Sequence, residues 1–247
     1  MTQSVSGLLN NEPIARKTLT LFYLIDTSGS MDGDKIGQVN TIMEEVIPEL
    51  RDVGGADSDV RMAVMTYDTD VRWMYDEPLS IEEIRWTRLS ASGWTDLGAA
   101  LEELDSKLSR EGFMKSASVS FAPVIFLLSD GYPNDGYETH LEKLKTNKWF
   151  KYALKIAVAI GTDASVSTLS EFTGNSETVV SVNNGVALRR LIKTISVTSS
   201  QIGSKGSSME AGNLITPEDA DMSKEKELIE VIRNTVRPED LDLDEGW

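Results

Sequence analysis

Apolar residues fill Leu19 to Ile25 almost without interruption, and the run LFYLI (Leu21 to Ile25) stops at Asp26. A short apolar run with no polar alternation predicts a strand buried on both faces, as in a parallel sheet covered by helices. Val124 to Leu128 (VIFLL) repeats the arrangement and leads to Asp130 and Gly131, and Ala153 to Ile160 (ALKIAVAI) is a third such run, ending at Gly161. Val60 to Tyr67 and Val71 to Tyr75 are separated by Asp68, Thr69 and Asp70, which predicts an antiparallel hairpin at the sheet edge. A brief strand is expected near Thr178 to Ser181.

Between these runs the apolar spacing becomes helical. In Lys35 to Arg51 it falls on Ile36, Val39, Met43, Val46, Ile47 and Leu50, with Pro48 expected to kink or end the helix early. Leu97 to Leu108, Tyr137 to Phe150, Val166 to Phe172 and Val186 to Val197 are the other predicted helices. Strand and helix alternating on this scale imply a doubly wound, mainly parallel α/β sheet with one antiparallel edge strand and helices on both faces.

The ends differ from this body. Residues 1–17 form an N-terminal arm, 18–200 the domain, and 201–213 a flexible linker within the Ser/Gly-rich stretch Ser199 to Asn213. Residues 214–247 are expected to be an acidic C-terminal helix and tail. Thr216 and Pro217 start that helix, Met222, Ile229, Ile232 and Val236 share one side, and Pro238 stops it. Its apolar side has two open readings, packing back on the domain or on a partner. From residue 209 onward the chain carries half of the net charge of −16.

That charge changes the functional picture. Nucleic acid is not an expected partner, because phosphate contacts need clustered Lys and Arg. Disulfides, thiolate metal sites and cysteine nucleophiles are excluded, since there is no cysteine, and one histidine cannot build a histidine-rich metal site. No apolar stretch resembles a secretory signal or a membrane span, so no membrane association and a cytoplasmic location are the expectations.

The candidate chemistry lies where apolar runs end in acids. Ligands of open α/β sheets gather beyond the carboxyl ends of the strands, where strand order reverses. If the two most apolar strands are neighbours, Asp26 and Asp130 emerge side by side, with Ser28 and Ser30 on the loop after Asp26. Gly29 is expected to let that loop bend. The segment SGWTDLG (Ser92 to Gly98) can bring Thr95 to the same place. Five oxygen donors, Asp26, Ser28, Ser30, Thr95 and Asp130, suit a hard cation: Mg²⁺ first, with Mn²⁺ or Ca²⁺ as alternatives.

DTSGS (Asp26 to Ser30), Thr95 in its Gly-containing loop and Asp130 in LLSDG together resemble the metal-ion-dependent adhesion site of von Willebrand factor A domains. Within that family, TDLG (Thr95 to Gly98) and IAVAIGTDASVSTLSEFTG (Ile156 to Gly174) are similar to bacterial TerY proteins associated with tellurite resistance. The resemblance implies a non-enzymatic, metal-dependent protein-interaction module. It also implies that Ser28, Ser30 and Thr95 bind the ion directly and that Asp26 and Asp130 act largely through water. A Glu or Asp of a partner protein then completes the coordination. A PP2C-like phosphatase and a protein kinase are the partners the resemblance suggests. Some relatives carry a C-terminal zinc-binding extension, which a chain without cysteine cannot form in that way.

The rival from another class is a Mg²⁺-dependent phosphoryl-transfer enzyme with Asp26 as nucleophile. Haloacid-dehalogenase-like phosphatases need a second acid two residues beyond that nucleophile, where this chain has Ser28. Nucleotide binding has no support, because neither GxGxxG nor GK[ST] occurs. Asp32, Asp34, Asp96 and Asp135 read as solvated rim acids, Trp94 as an exposed aromatic suited to a partner, Trp86 as either such an aromatic or a core residue, and His140 as a surface residue.

Overall fold

In a computed structural model, the described residues are 17–51, 58–115 and 120–182, together with the helical positions Arg190, Thr194, Thr198, Lys226, Glu227, Ile229, Glu230 and Asn234. The expected arm before residue 17 and the linker lie outside them. The expected Val186 to Val197 helix and the C-terminal helix are described only at those scattered positions.

The first apolar run is strand β1 (Lys17–Asp26), buried from Leu19 onward. It pairs in parallel with β2 (Ser58–Tyr67) on one side and with β5 (Val124–Ser129) on the other. Strands β6 (Leu154–Ile160) and β7 (Val179–Val182) extend the parallel sheet beyond β5. The short β3 (Val71–Trp73) pairs antiparallel with β2 through Tyr67 and Val71, as the hairpin pattern predicts. A two-residue strand, β4 (Leu79–Ser80), lies antiparallel along the same edge of β2 and has no hydrophobic signature of its own.

Alternate residues of β1 enter two cores. Leu21, Tyr23 and Ile25 pack with Val39, Met43 and Val46 of helix α1 (Asp34–Arg51). Phe22 and Leu24 face the opposite core with α2 (Leu97–Lys107), α3 (Tyr137–Lys145), α4 (Lys148–Tyr152) and α5 (Val166–Thr173). Helices therefore cover both faces, which is why the central strands read as continuous apolar runs. Each fully buried large side chain contributes about 1.5–3 kcal/mol.

Two expectations are corrected. α1 runs through Pro48 to Arg51, so the helix does not end early there. Pro48 is exposed and near the helix end, so the carbonyl that loses its donor is on the watered side, while Ile47 and Leu50 anchor the last turn in the core. The predicted helix Tyr137 to Phe150 is two helices, because the Asn147 side chain accepts a hydrogen bond from the Trp149 backbone N–H and starts a new one. The apolar spacing lapses there too, since Lys145 to Lys148 are all polar and Trp149 lies five residues past Leu144.

Candidate metal centre

Sheet order is β3-β2-β1-β5-β6-β7, so the chain leaves β1 toward one edge and later returns on its other side. The reversal puts the carboxyl ends of β1 and β5 together, the place where open α/β sheets hold ligands. Asp26 ends β1, and Asp130 is the first residue after β5. Both are fully buried.

Asp26 is held on both oxygens. The Ser28 backbone N–H donates to Oδ1 at 2.9 Å, and the Ser129 hydroxyl donates to Oδ2 at 2.6 Å. Ser129 Oγ in turn accepts from the Gly131 N–H at 2.8 Å, so β1 and the turn after β5 are locked through one hydroxyl. Burial pushes the Asp26 carboxyl above its usual range and the nearby Asp130 adds to this, while hydrogen bonds from Ser129 and Ser28 oppose it. Beneath lies Tyr67, whose phenol is held protonated by burial and by the charge of Asp26.

Ser28 is extended and the chain then tightens into a single 3₁₀ turn (Gly29–Met31) with Met31 buried beneath it. This geometry places the Ser28 and Ser30 hydroxyls 3.1 Å apart, with Ser28 buried and Ser30 open to solvent. Glycine at position 29 suits a close approach of two backbones rather than the expected bend. Its N–H donates to Gly93 O at 3.1 Å, and an added Cβ would press on that same oxygen.

The Thr95 loop is fastened to both neighbours. Ser92 N–H donates to Thr27 O at 2.8 Å, Thr95 N–H donates to the Asn134 side chain at 3.0 Å, and Asn134 N–H returns a bond to Thr95 O at 2.9 Å. Three connections, after β1, before α2 and after β5, thus form one rim carrying all five predicted residues. Gly131 at φ 77° makes the last of these turns, and a Cβ there would stand 2.5 Å from Ser165 O.

Asp130 Oδ2 accepts from Lys35 Nζ at 3.1 Å, whereas Asp130 Oδ1 is buried with no hydrogen-bond partner among the described residues. A buried carboxylate oxygen without a donor is costly unless something positive meets it. No group of three or more Asp, Glu, His or Cys suited to a metal occurs among the described residues, so a cation held here would have to draw on hydroxyls beside the two carboxylates. Oxygen donors of this kind fit a hard divalent ion.

Sequence reasoning missed Ser129, Lys35, Asn134 and Tyr67. Ser129 adjoins Asp130 in LLSDG and was open to inspection, but Lys35 and Tyr67 reach the centre only through the fold. Asp96 and Asp135 are also corrected from solvated acids to structural ones. The Asp96 side chain caps α2 by accepting from Ala99 N–H at 3.0 Å, and Asp135 accepts from Gly98 N–H. Burial, then contact with Asp96, raises the Asp135 carboxyl above its usual range. Asp32 and Asp34 are exposed. Trp94 is 70% exposed beside Thr95, whereas Trp86 packs against the core and donates its indole N–H to Asn40. His140 is partly exposed, 3.8 Å from Glu102, with its ring close to Gly98 at the start of α2.

Comparison with known proteins agrees with the fold. The model of the von Willebrand factor type A domain matches residues 21–194. The proximal thread matrix protein 1 of the mussel byssus superposes with a TM-score of 0.57 at 19% identity, over 75% of this chain and 49% of that one. A form of the same mussel protein described as having a zinc-occupied MIDAS motif gives 0.54 at 18%, over 75% and 48%. The ArnB paralog VWA2 from Sulfolobus acidocaldarius gives 0.54 at 18%, over 73% and 46%. The chain thus spans about half the length of these structures, and at such identities the likeness concerns the fold. No curated protein matches.

Proposed function

Because the chain belongs to the von Willebrand factor type A domain family, we propose that it is a divalent-cation-dependent protein-interaction module whose metal is completed by a Glu or Asp from a partner protein. The observation that carries this reading is the buried Oδ1 of Asp130, which has no hydrogen-bond partner among the described residues, beside the fully buried Asp26 at the β1/β5 reversal. Ser28, Ser30 and Thr95 are the direct ligands in this reading, and Asp26 and Asp130 hold the surrounding water. Hydroxyl ligands are neutral, so a bound ion stays electrophilic toward an outside carboxylate. Trp94 offers an apolar contact next to that position.

Mg²⁺ is the ion we assign, on the strength of an all-oxygen donor set with few carboxylates. Mn²⁺ and Ca²⁺ suit the same donors, and the zinc recorded for the mussel protein makes Zn²⁺ a further ion to test. Asp26 is better suited to holding than to attacking, because it has no exposed surface and both of its oxygens already accept hydrogen bonds. This favours the interaction module over phosphoryl transfer.

TDLG at Thr95 to Gly98 and the Ile156 to Gly174 stretch support a TerY-like role in a cytoplasmic stress or tellurite-resistance complex. A PP2C-like phosphatase and a protein kinase are the partners proposed on that resemblance. Recovery of bound proteins in Mg²⁺, in chelator, and with Asp26→Ala tests the core of the reading. Partners retained only by the wild type in Mg²⁺ support it; equal recovery in all three conditions overturns it.

A further inference from the structure

Lys35 stands in the first turn of α1, where a positive charge opposes the helix dipole. Its ammonium reaches Asp130 Oδ2 at 3.1 Å and Asp163 Oδ1 at 3.0 Å, with the lysine side chain 19% exposed and that of Asp163 65% exposed. Gly161 leaves room for this path. A Cβ at Gly161 would lie 2.6 Å from Lys35 Cε. Burial works against the charge of Lys35, but hydrogen bonds to Asp163 and Asp130 outweigh it and hold the ammonium above the ordinary lysine range. The lysine is therefore a fixed cation touching one of the five candidate residues.

We propose that Lys35 is a positioning residue that sets the metal affinity of the centre: its ammonium is a resident counter-ion of Asp130, and an incoming divalent ion must share that carboxylate with it. The inference rests on the metal-site reading above. The ammonium offsets one of the two buried carboxylate charges, and the third carboxylate it touches, Asp163, is 65% exposed and screened by water, so the buried charge alone does not neutralise a divalent ion. The charge deficit makes metal uptake weak and leaves a bound ion more receptive to a carboxylate from outside. In the absence of metal, the same ammonium offsets the repulsion between Asp130 and Asp26. Asp163 holds Lys35 from the β6–α5 loop, so part of the lysine's charge is drawn away from Asp130.

Isothermal titration of the full chain with MnCl₂ and with MgCl₂ tests this, using wild type, Lys35→Met, Lys35→Arg and Asp163→Asn. Removing a unit charge a few ångströms from a divalent ion changes its affinity on the order of tenfold even under water-like screening. Lys35→Met is expected to bind Mn²⁺ about tenfold more tightly. Lys35→Arg keeps the charge and stays close to wild type. Asp163→Asn, which leaves Asp130 as the one carboxylate paired with the ammonium among the described residues, binds more weakly than wild type. In chelator, Lys35→Met melts below wild type and gains more from added Mn²⁺. A merely structural lysine would lower the melting temperature with and without metal and would not tighten uptake. Equal or weaker Mn²⁺ binding by Lys35→Met, with clear uptake by wild type, overturns this inference alone. No uptake by any variant overturns the metal-site reading and the inference with it.

Discussion

Asp26 is a carboxylate with no exposed surface, and its charge is opposed by burial more strongly than its hydrogen bonds support it. Its folded form therefore holds a proton more readily than the unfolded chain does. The resulting penalty is absent below the unfolded carboxylate range, grows as pH rises through the raised folded value, and is complete above it. In chelator at neutral pH, Asp26→Asn is expected to unfold at higher urea than wild type, and the difference closes as the pH falls below the ordinary carboxylate range. Urea titrations across that window check the sign, and an Asn variant less stable at neutral pH would show that the hydrogen bonds dominate. The same variant should lose Mn²⁺ binding, since the neutral amide cannot supply the charge. Thr95→Ala removes one neutral donor and is expected to weaken Mn²⁺ binding at least about tenfold, with little change in the chelator melting curve.

Loops and helices hold these side chains in place. The long strap between β4 and α2 carries Thr95 and is tied to α1 by Asn40. The Asn40 carbonyl oxygen accepts from Leu89 N–H at 2.7 Å and Trp86 Nε1 at 3.2 Å, and its amide donates to Leu89 O at 2.8 Å. Asn40→Ala strands these groups in a partly buried seam and should cost about 2–3 kcal/mol in urea unfolding. Metal affinity should fall with it, because the strap also positions Gly93 against Gly29. At the turn after β5, Gly131→Ala combines a left-handed backbone with a Cβ 2.5 Å from Ser165 O. A loss of about 2 kcal/mol or more is expected there, measured by the same unfolding curves.

Across the chain, the net charge of −16 sets a field that draws cations and basic surfaces toward the protein. Exposed Asp32 and Asp34 on the rim and Asp163 nearby add to it at the centre. Mg²⁺ affinity should therefore drop several-fold as NaCl is raised from low salt to about 0.15 M, where the Debye length is about 8 Å. Titration at several salt concentrations checks this. A salt-independent affinity would mean that the buried pair of carboxylates alone governs uptake. Among the described residues no helix is long and apolar enough to cross a membrane.

Unbroken apolar runs were enough to foresee β1, β5 and β6, a short polar turn the hairpin of β2 with β3, and the acids after two of those runs the carboxylates at strand ends. Such features are local: a strand buried on both faces excludes polar residues from its own few positions, whatever its neighbours are. The joining of distant groups was a matter for the folded chain. Ser129 meets Asp26 across 103 residues and Lys35 meets Asp130 across 95, contacts that depend on β5 returning beside β1 and on the direction in which α1 begins. The two-residue β4 likewise follows from an edge pairing that apolar periodicity does not encode. Periodicity records which residues avoid water, whereas strand order and loop geometry decide which charges share the same buried space.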